Sequence, residues 1–366
     1  MEPLTHFLTG ACLGRSGFNR RTALATLTMT LAAEAPDLDV LSQFGGPAFG
    51  FAHHRGFTHS FLGLFLMSAL VVGFVYLIWR LGGRKLKDPS LPPRWGLLFV
   101  FAYIAGLTHI LLDFTNNYGV RPFWPLNEKW FSWDIVFIFE PVMFGFLLLG
   151  LIVPSFLGLI DSEVGARQKG PRGRVAAIVA LAGVAAMYGL RDFEHRRAIS
   201  ALEARTYQNA EPVRASAYPA PINPFAWAGV VETQGFFVVT EVNSRAPEVD
   251  PQDKMEFHYK SEETPATMAA KRSYLGRVYL DWAQYPVTET EQLPGGESIV
   301  HFQDLRFAEV PGVTARALGL ISRLLGRRRS NQNRSNPLGA GVLLDQNLHV
   351  LADVYGRTEV PEPAGN

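Results

Sequence analysis

The stretch HHRGFTHSFLGLFLMSALVVGFVYLIW, residues 53–79, joins two kinds of chemistry. From Phe61 to Trp79 it runs 19 residues without a charge, close to the length needed to cross a bilayer. Directly before that run stand three imidazoles, His53, His54 and His59. Polar groups at the edge of a membrane segment are costly unless partnered, so the juxtaposition predicts a metal site at a membrane surface.

The same apolar pattern continues along the chain. Trp95 to Leu112 forms a second run with His109 as its one ionisable group, and Ile135 to Ile160 a third that carries Glu140. Val175 to Leu190 is a fourth, shorter and Ala-rich. Leu4 to Leu13 and Ala23 to Ala35 fall below about 17 residues, the lower limit for a span, and predict half-spans or helices packed on the bundle. No basic stretch with a small-residue cleavage site opens the chain, so no removable signal peptide is expected. After residue 191 the apolar runs give way to short β-type segments, GVVET, GFFVVTEV, MEFHYK, SIVHFQDLRF and LHVLADVYG, separated by turn residues. The expected architecture is a mainly α-helical integral membrane bundle, about four long spans plus two short N-terminal apolar helices, followed by a small β-rich soluble domain. Its parts are a membrane domain over 1–190, a charged helical linker over 191–215, and a β-rich domain over 216–366.

Composition narrows the chemistry. The net charge of +1 gives no global field for a polyanion, so nucleic acid is not expected as a partner. The single cysteine, Cys12, excludes an internal disulfide and any Cys-rich zinc site, which leaves histidine and carboxylate as ligands. The basic stretch Arg323 to Arg334 is expected as a loop that is solvated or touches anionic lipid.

Positive charge assigns the orientation. Arg80, Arg84, Lys85, Lys87 and Arg94 separate the first two spans, and residues 167–174 hold four more basic residues two spans later. Arg15, Arg20 and Arg21 fit the same, cytoplasmic side. The outer, periplasmic face then receives residues 36–60 and 113–134, and with them the C-terminal domain. Arg191, Arg196 and Arg197 oppose that last assignment, and a peripheral fourth segment would place the C-terminal domain in the cytoplasm. On either reading the candidate ligands share one level: His6, Asp37, Asp39, His53, His54, His59, His109 and Asp113, with Asp134 and Glu140 at the start of the third span. Random placement would scatter them between the faces.

The spacings suit metal chemistry. His109 and Asp113 are i, i+4 on a helix and share a face. Asp37-Leu38-Asp39 after Pro36 predicts a tight, non-helical turn carrying two carboxylates. Neutral imidazoles with carboxylates suit zinc, with manganese or iron as alternatives. The groups outnumber the ligands of one zinc, so one or two ions are expected, and two-metal centres favour phosphoester displacement. Adjacent side chains diverge, so one of His53 and His54 ligates. Arg55 is placed to hold an anionic substrate oxygen, and Asp134 is either a site residue or a helix cap. Polar packing between spans is the competing account of the His and Asp residues.

At these residues the chain resembles the membrane-bound metal-dependent hydrolases typified by YdjM, a LexA-regulated inner-membrane family. The matching elements are His6, PDLD (Pro36 to Asp39), HRGFTHS (His54 to Ser60), THILLDFTNNYGVRPFWP (Thr108 to Pro125) and FSWDIVFIFEP (Phe131 to Pro141). The family usually has Asp-Pro where this chain has Glu140-Pro141. The resemblance covers about residues 1–190 and favours His54 over His53 as the ligand. The ligand order is also, more loosely, similar to zinc-dependent phospholipase C. Together these resemblances imply a multi-pass inner-membrane hydrolase with metal-activated water, acting on a phosphoester or other ester of a membrane lipid or lipid-linked substrate, with Arg55, Asp134 and Glu140 in the catalytic neighbourhood. A non-catalytic, metal-stabilised membrane scaffold or regulatory binding protein is the second hypothesis. A transporter is a third, disfavoured because the polar groups gather at one face.

Overall fold

The computed structural model describes residues 1–86, 88–163, 173–260, 262–308 and 338–355. Lys87, most of the basic 167–174 stretch and the basic stretch 323–334 lie outside the described residues. Contacts divide the chain into two units, one of Met1–Leu41 and His53–Phe193, the other of Ser42–Ala52 and Glu194–Asn366.

The first unit is helical. Helix α1 (Pro3–Arg15) starts with a proline in its first turn, where a missing N–H costs nothing, and Glu2 caps it by accepting from Thr5 N. Helix α2 (Ala25–Glu34) lies against α1 at backbone distance. A Cβ on Gly10 would stand 2.6 Å from Met29 O, and one on Gly14 would stand 2.6 Å from Thr26 Cα. These are the two short apolar segments of the sequence, and they pack into the bundle. After α3 (Pro47–His53), which falls largely in the second unit, come α4 (Phe61–Leu81) and α5 (Trp95–Phe114). The Ser60 hydroxyl accepts from Gly63 N at 2.9 Å and sets the start of α4. Met29 of α2, Val71 and Val75 of α4, and Leu98 and Ala102 of α5 share one core. Among the described residues, helices α4, α5, α6 (Pro141–Glu163) and α7 (Arg174–Glu203) are the four that are long and apolar enough to cross a membrane.

Two boundaries differ from expectation. The third helix begins at Pro141 rather than Ile135. Residues 131–136 are irregular instead: Phe131 bridges to Val120, and the amides of Ile135 and Val136 both donate to Thr115 O at 3.0 Å. The apolar Ile135 and Val136 are fully buried there, in a core with Met143 and Leu147 of α6. The fourth helix does not end near Leu190 but continues to Glu203, taking in part of the expected linker. Arg191 is tolerated in it because Glu140 Oε2 accepts from its Nη2 at 2.5 Å. The Asp37–Asp39 segment also differs, since Ala35–Gly45 winds as a 3₁₀ helix rather than a non-helical turn.

The second unit is built on two antiparallel sheets rather than one. In the first, β1 (Arg214–Pro219), β2 (Ala226–Glu232) and β3 (Phe236–Asn243) run as a meander, and β4 (Glu248–Val249) and β5 (Glu256–Tyr259) both pair with β3. The second is a meander of β6 (Pro286–Gln292), β7 (Ser298–Asp304), β8 (Ala340–Leu344) and β9 (Val350–Tyr355). Between the sheets in sequence lie α8 (Pro265–Arg272) and α9 (Tyr274–Trp282), which the β-type patterning did not predict. Their signals are local caps: Thr264 and Ser273 side chains accept from Thr267 N and Gly276 N. The Ser42–Ala52 excursion joins this unit through Phe51, whose ring centroid lies 5.2 Å from that of Trp282 and 6.1 Å from that of Tyr279.

Candidate metal centre

Three segments of the first unit converge: the 3₁₀ turn after α2, the short turn Phe57–His59 before α4, and the last turns of α5. They bring Asp37, His59, His109 and Asp113 together, with one donor atom from each within 4.8 Å of all the others. His59 Nε2 lies 3.0 Å from His109 Nε2, 3.6 Å from Asp37 Oδ1 and 3.3 Å from Asp113 Oδ2. His109 Nε2 lies 3.5 Å from Asp37 Oδ1 and 3.4 Å from Asp113 Oδ2. A tetrahedron with ligand bonds of about 2.0–2.1 Å has edges of roughly 3.4 Å, so these five separations suit a four-coordinate zinc-type ion.

Hydrogen bonding argues the same way. His109 Nδ1 lies 2.6 Å from the Ala33 carbonyl, which can only accept, and this assigns the proton of the neutral ring to Nδ1. His109 Nε2 is then a lone pair aimed at another ring nitrogen. Burial pushes the His59 pKa down to about 3, so this ring too is neutral at ordinary pH. Its Nδ1 faces Thr58 Oγ1 at 3.1 Å and Asp39 Oδ2 at 3.4 Å, and a proton held there makes Nε2 the second inward lone pair. Among the described residues Asp113 Oδ2 has no hydrogen-bond donor, and Asp37 Oδ1 faces the two ring lone pairs. Four electron-rich atoms thus face one another in a buried space, an arrangement that costs several kcal/mol per charge unless a cation joins it. The donor set fits a divalent metal.

The surroundings hold these donors in place. Arg55, with φ +51°, donates from Nη2 to Asp113 Oδ1 at 2.8 Å, which leaves Oδ2 facing the histidines. Its Nη1 reaches Gly119 O at 3.0 Å and Asn116 Oδ1 at 3.3 Å, and its guanidinium lies over the Tyr118 ring. The Met1 amino group also meets Asp113 Oδ1. Asp39 Oδ2 accepts from Arg55 N at 2.6 Å and from the side of His54 Nδ1 at 3.2 Å. Burial alone would raise Asp39, but the hydrogen bond from His54 holds it below the ordinary carboxylate range. Outer partners of this kind orient metal ligands and set their tautomers.

The other predicted residues lie outside the four-donor set. His6 is closest in character: its ring stacks on His109 at 3.7 Å, its Nε2 is 3.5 Å from Asp113 Oδ1, and neither nitrogen has a hydrogen-bond partner. His54 is half-exposed beside Asp39, and His53 is exposed at the end of α3. Arg55 is buried, with Nη1 and Nη2 on the protein's own acceptors. Asp134 adopts left-handed φ at +59°, and Glu140 is the buried partner of Arg191. The Ala33 carbonyl and the Tyr118 ring are not singled out by sequence reading, since a carbonyl carries no residue signature and a tyrosine amid Trp-rich sequence reads as interfacial.

No solved structure matches this chain. Among curated proteins, it is 27% identical over 154 residues to the uncharacterized protein YfhP of Bacillus subtilis, covering 39% of this chain and 43% of that protein. It is 31% identical over 140 residues to the inner membrane protein YbcI of Escherichia coli, covering 36% of this chain and 73% of YbcI. The chain therefore spans less than half the length of the first of these relatives. The profile described as YdjM inner membrane protein matches residues 1–196, the stretch that contains every member of the histidine–aspartate cluster and all four membrane-competent helices but for the last residues of α7. With the match covering more than half of its length, the chain belongs to the YdjM inner membrane protein family.

Proposed function

We infer that this protein is a membrane-bound metal-dependent hydrolase acting on a phosphoester or other ester of a lipid or lipid-linked substrate, with its site at the outer face of the inner membrane. The observation that carries the reading is the convergence of His59 Nε2, His109 Nε2, Asp37 Oδ1 and Asp113 Oδ2 at the spacing of a single divalent ion. Zinc suits the donors, with manganese or iron as alternatives. A divalent cation held there supplies Lewis acidity, lowering the pKa of water toward neutrality and polarising a phosphoryl oxygen.

The chain's own residues divide the remaining work. Arg55 holds Asp113 by Oδ1, and the Ala33 carbonyl holds the His109 proton on Nδ1. Asp37 is 24% exposed while the other three donors are enclosed, so substrate approaches from the Asp37 side. His54, half-exposed and oriented by Asp39, is the group placed to pass a proton to a leaving oxygen. The position of the site at the ends of α4 and α5 supports a lipid or lipid-linked substrate, whose headgroup lies at that level of the bilayer. The outer-face assignment rests on the basic residues Arg80, Arg84, Lys85 and Arg94 at the opposite ends of those helices.

A second reading, a metal-stabilised scaffold, has its own support. His59, His109 and Asp113 are 0% exposed, and four protein ligands fill a tetrahedron, as closed structural zinc sites do. Metal analysis of the purified protein, followed by assay on phosphodiester and carboxylester lipids in nanodiscs with His109→Gln as control, separates the two. Stoichiometric metal with hydrolysis that the variant loses supports the hydrolase. Metal without turnover of any lipid ester favours the scaffold, and absence of metal overturns both.

A further inference from the structure

At the other end of the first unit lies a cavity of about 880 Å³. His6 and Arg15 stand at opposite ends of α1, and His59 and Lys85 flank opposite ends of α4, so this cavity is remote in the bundle from the metal centre. Its lining among the described residues includes Arg15, Asn19, Lys85, Leu27 and Pro154. It takes in the ends of α1 and α2, the segment after α4 and the second half of α6.

Three features of this lining lack an internal explanation. Arg15 is half-buried at the end of an apolar helix, and its Nη1 donates to Leu151 O at 3.0 Å. Neither Arg15 nor Lys85 forms an ion pair among the described residues, while Asp88, the one acid in the lining, bonds Ser90. A partly buried cation without a counter-charge is unfavourable. Asn19 Oδ1 is enclosed and has no donor. The first turn of α2, Ala25–Leu27, also lines the cavity, and α2 starts without a side-chain cap, so its leading amides add positive potential. Beside these groups lie apolar Leu27, Leu91 and Pro154, and Leu27 is 40% exposed. A small soluble anion would satisfy the cations and leave that apolar wall uncovered. A neutral alkyl chain would cover the wall and leave the cations unpaired.

We propose that this cavity binds an anionic phospholipid of the surrounding bilayer. Its phosphate meets Arg15 and Lys85, a headgroup hydroxyl donates to Asn19 Oδ1, and the acyl chain lies along Leu27 and Pro154. A phosphatidylglycerol-type headgroup has both the charge and the hydroxyls, whereas phosphatidylcholine has neither a net charge nor a donor. Basic pockets between membrane helices recognise anionic headgroups in this way.

Native mass spectrometry of the full-length protein in detergent, titrated separately with dioleoyl phosphatidylglycerol and dioleoyl phosphatidylcholine, tests the assignment. Tighter retention of phosphatidylglycerol is expected, by roughly thirtyfold for two cations near a lipid headgroup. Lys85→Glu, on an exposed residue outside the helices, should abolish most of that preference, and Leu27→Glu should weaken both lipids. Both variants sit at exposed positions and keep the bundle core, which a parallel thermal melt verifies; Arg15→Gln is the third variant if either fails to fold. Equal retention of the two lipids, or an unchanged preference in Lys85→Glu, overturns the proposal. Displacement of the bound lipid by millimolar inorganic phosphate alone also overturns it, since the cavity would then be a soluble-anion site.

Discussion

Arg55→Met removes the most heavily used donor around the metal centre. The guanidinium serves three buried acceptors: Asp113 Oδ1 at 2.8 Å, Gly119 O at 3.0 Å and Asn116 Oδ1 at 3.3 Å. Methionine fills most of the volume but donates to none of them. Removing one partner of a buried ion pair costs about 3–5 kcal/mol, because the remaining charge stays desolvated. For a unit near two hundred residues, each kcal/mol moves the unfolding midpoint by roughly 2–4 °C, so a drop of roughly 6–20 °C is expected. Tryptophan-fluorescence melts of the detergent-solubilised protein measure it. The variant should also bind zinc about 10–100-fold more weakly, the usual effect of losing a partner that orients a ligand. Arg55→Lys should recover part of the stability, since an ammonium reaches Asp113 but cannot fork to Gly119 and Asn116. The reasoning fails if Arg55→Met melts with the wild type and loses only turnover. Arg55 would then be a substrate-binding group whose protein contacts contribute nothing.

Further outcomes follow from other contacts. Asp37→Asn should retain zinc with weakened affinity, because Asp37 is the one partly exposed ligand and sits on a 3₁₀ turn, whereas Asp113→Asn should lose the metal altogether; equilibrium dialysis with elemental analysis distinguishes them. Gly10→Val places carbon within 2.8 Å of Ala33 Cβ and 2.6 Å of Met29 O, which forces α1 from α2 at about 1–3 kcal/mol and displaces the Ala33 carbonyl that fixes His109. Its melt and its zinc affinity should therefore fall together, and a lowered melt with unchanged affinity would break the link. In the second unit, burial alone would raise Glu232, but Lys260 at 2.8 Å and Arg214 at 3.1 Å outweigh it and lower its pKa. A depressed carboxylate stabilises above its unfolded pKa of about 4.3, and the stabilisation is lost as pH falls through the folded value. Lys260→Met should therefore destabilise by at most about 1 kcal/mol at pH 7, with the difference shrinking as the pH falls below the ordinary carboxylate range in urea titrations followed by circular dichroism.

The membrane half is legible because its signal is one-dimensional. A charge-free run such as Phe61–Trp79 has few other uses, and helix α4 extends it by only two residues, to Leu81. The errors fall where tertiary contacts override composition. Ile135 and Val136 are as apolar as any span residue, yet they lie outside the helix because Thr115 O accepts both amides and a buried niche takes both side chains. Arg191 reads as the end of a span, and the helix passes through it because Glu140, fifty-one residues earlier, neutralises it. In the second unit, α8 and α9 were lost because sequence patterning was read for strands, while their start signals, Thr264-Pro265 and Ser273, are single-residue caps that also occur in turns.

The site was legible to a different depth. Residue type and spacing assemble a pool from which the structure brings His59, His109, Asp37 and Asp113 together, but they do not rank its members. Ranking needs the direction of each lone pair, which depends on what the far side of each side chain touches. His109 turns Nε2 inward because a carbonyl on α2 takes its Nδ1 proton. Asp113 offers Oδ2 because Arg55 occupies Oδ1. Asp39 shares a motif with Asp37, yet its Oδ2 is taken by the Arg55 amide and His54 Nδ1, so it faces the back of His59 rather than the front. Two carboxylates two positions apart thus take separate places, one facing the four-donor cluster and one the far side of His59. The 3₁₀ winding of Ala35–Gly45 produces that split, since about three residues per turn rotate Asp37 and Asp39 by roughly 240° relative to one another. In extended backbone residues two apart share one face, so the helical winding is what sends Asp37 and Asp39 to different sides of His59.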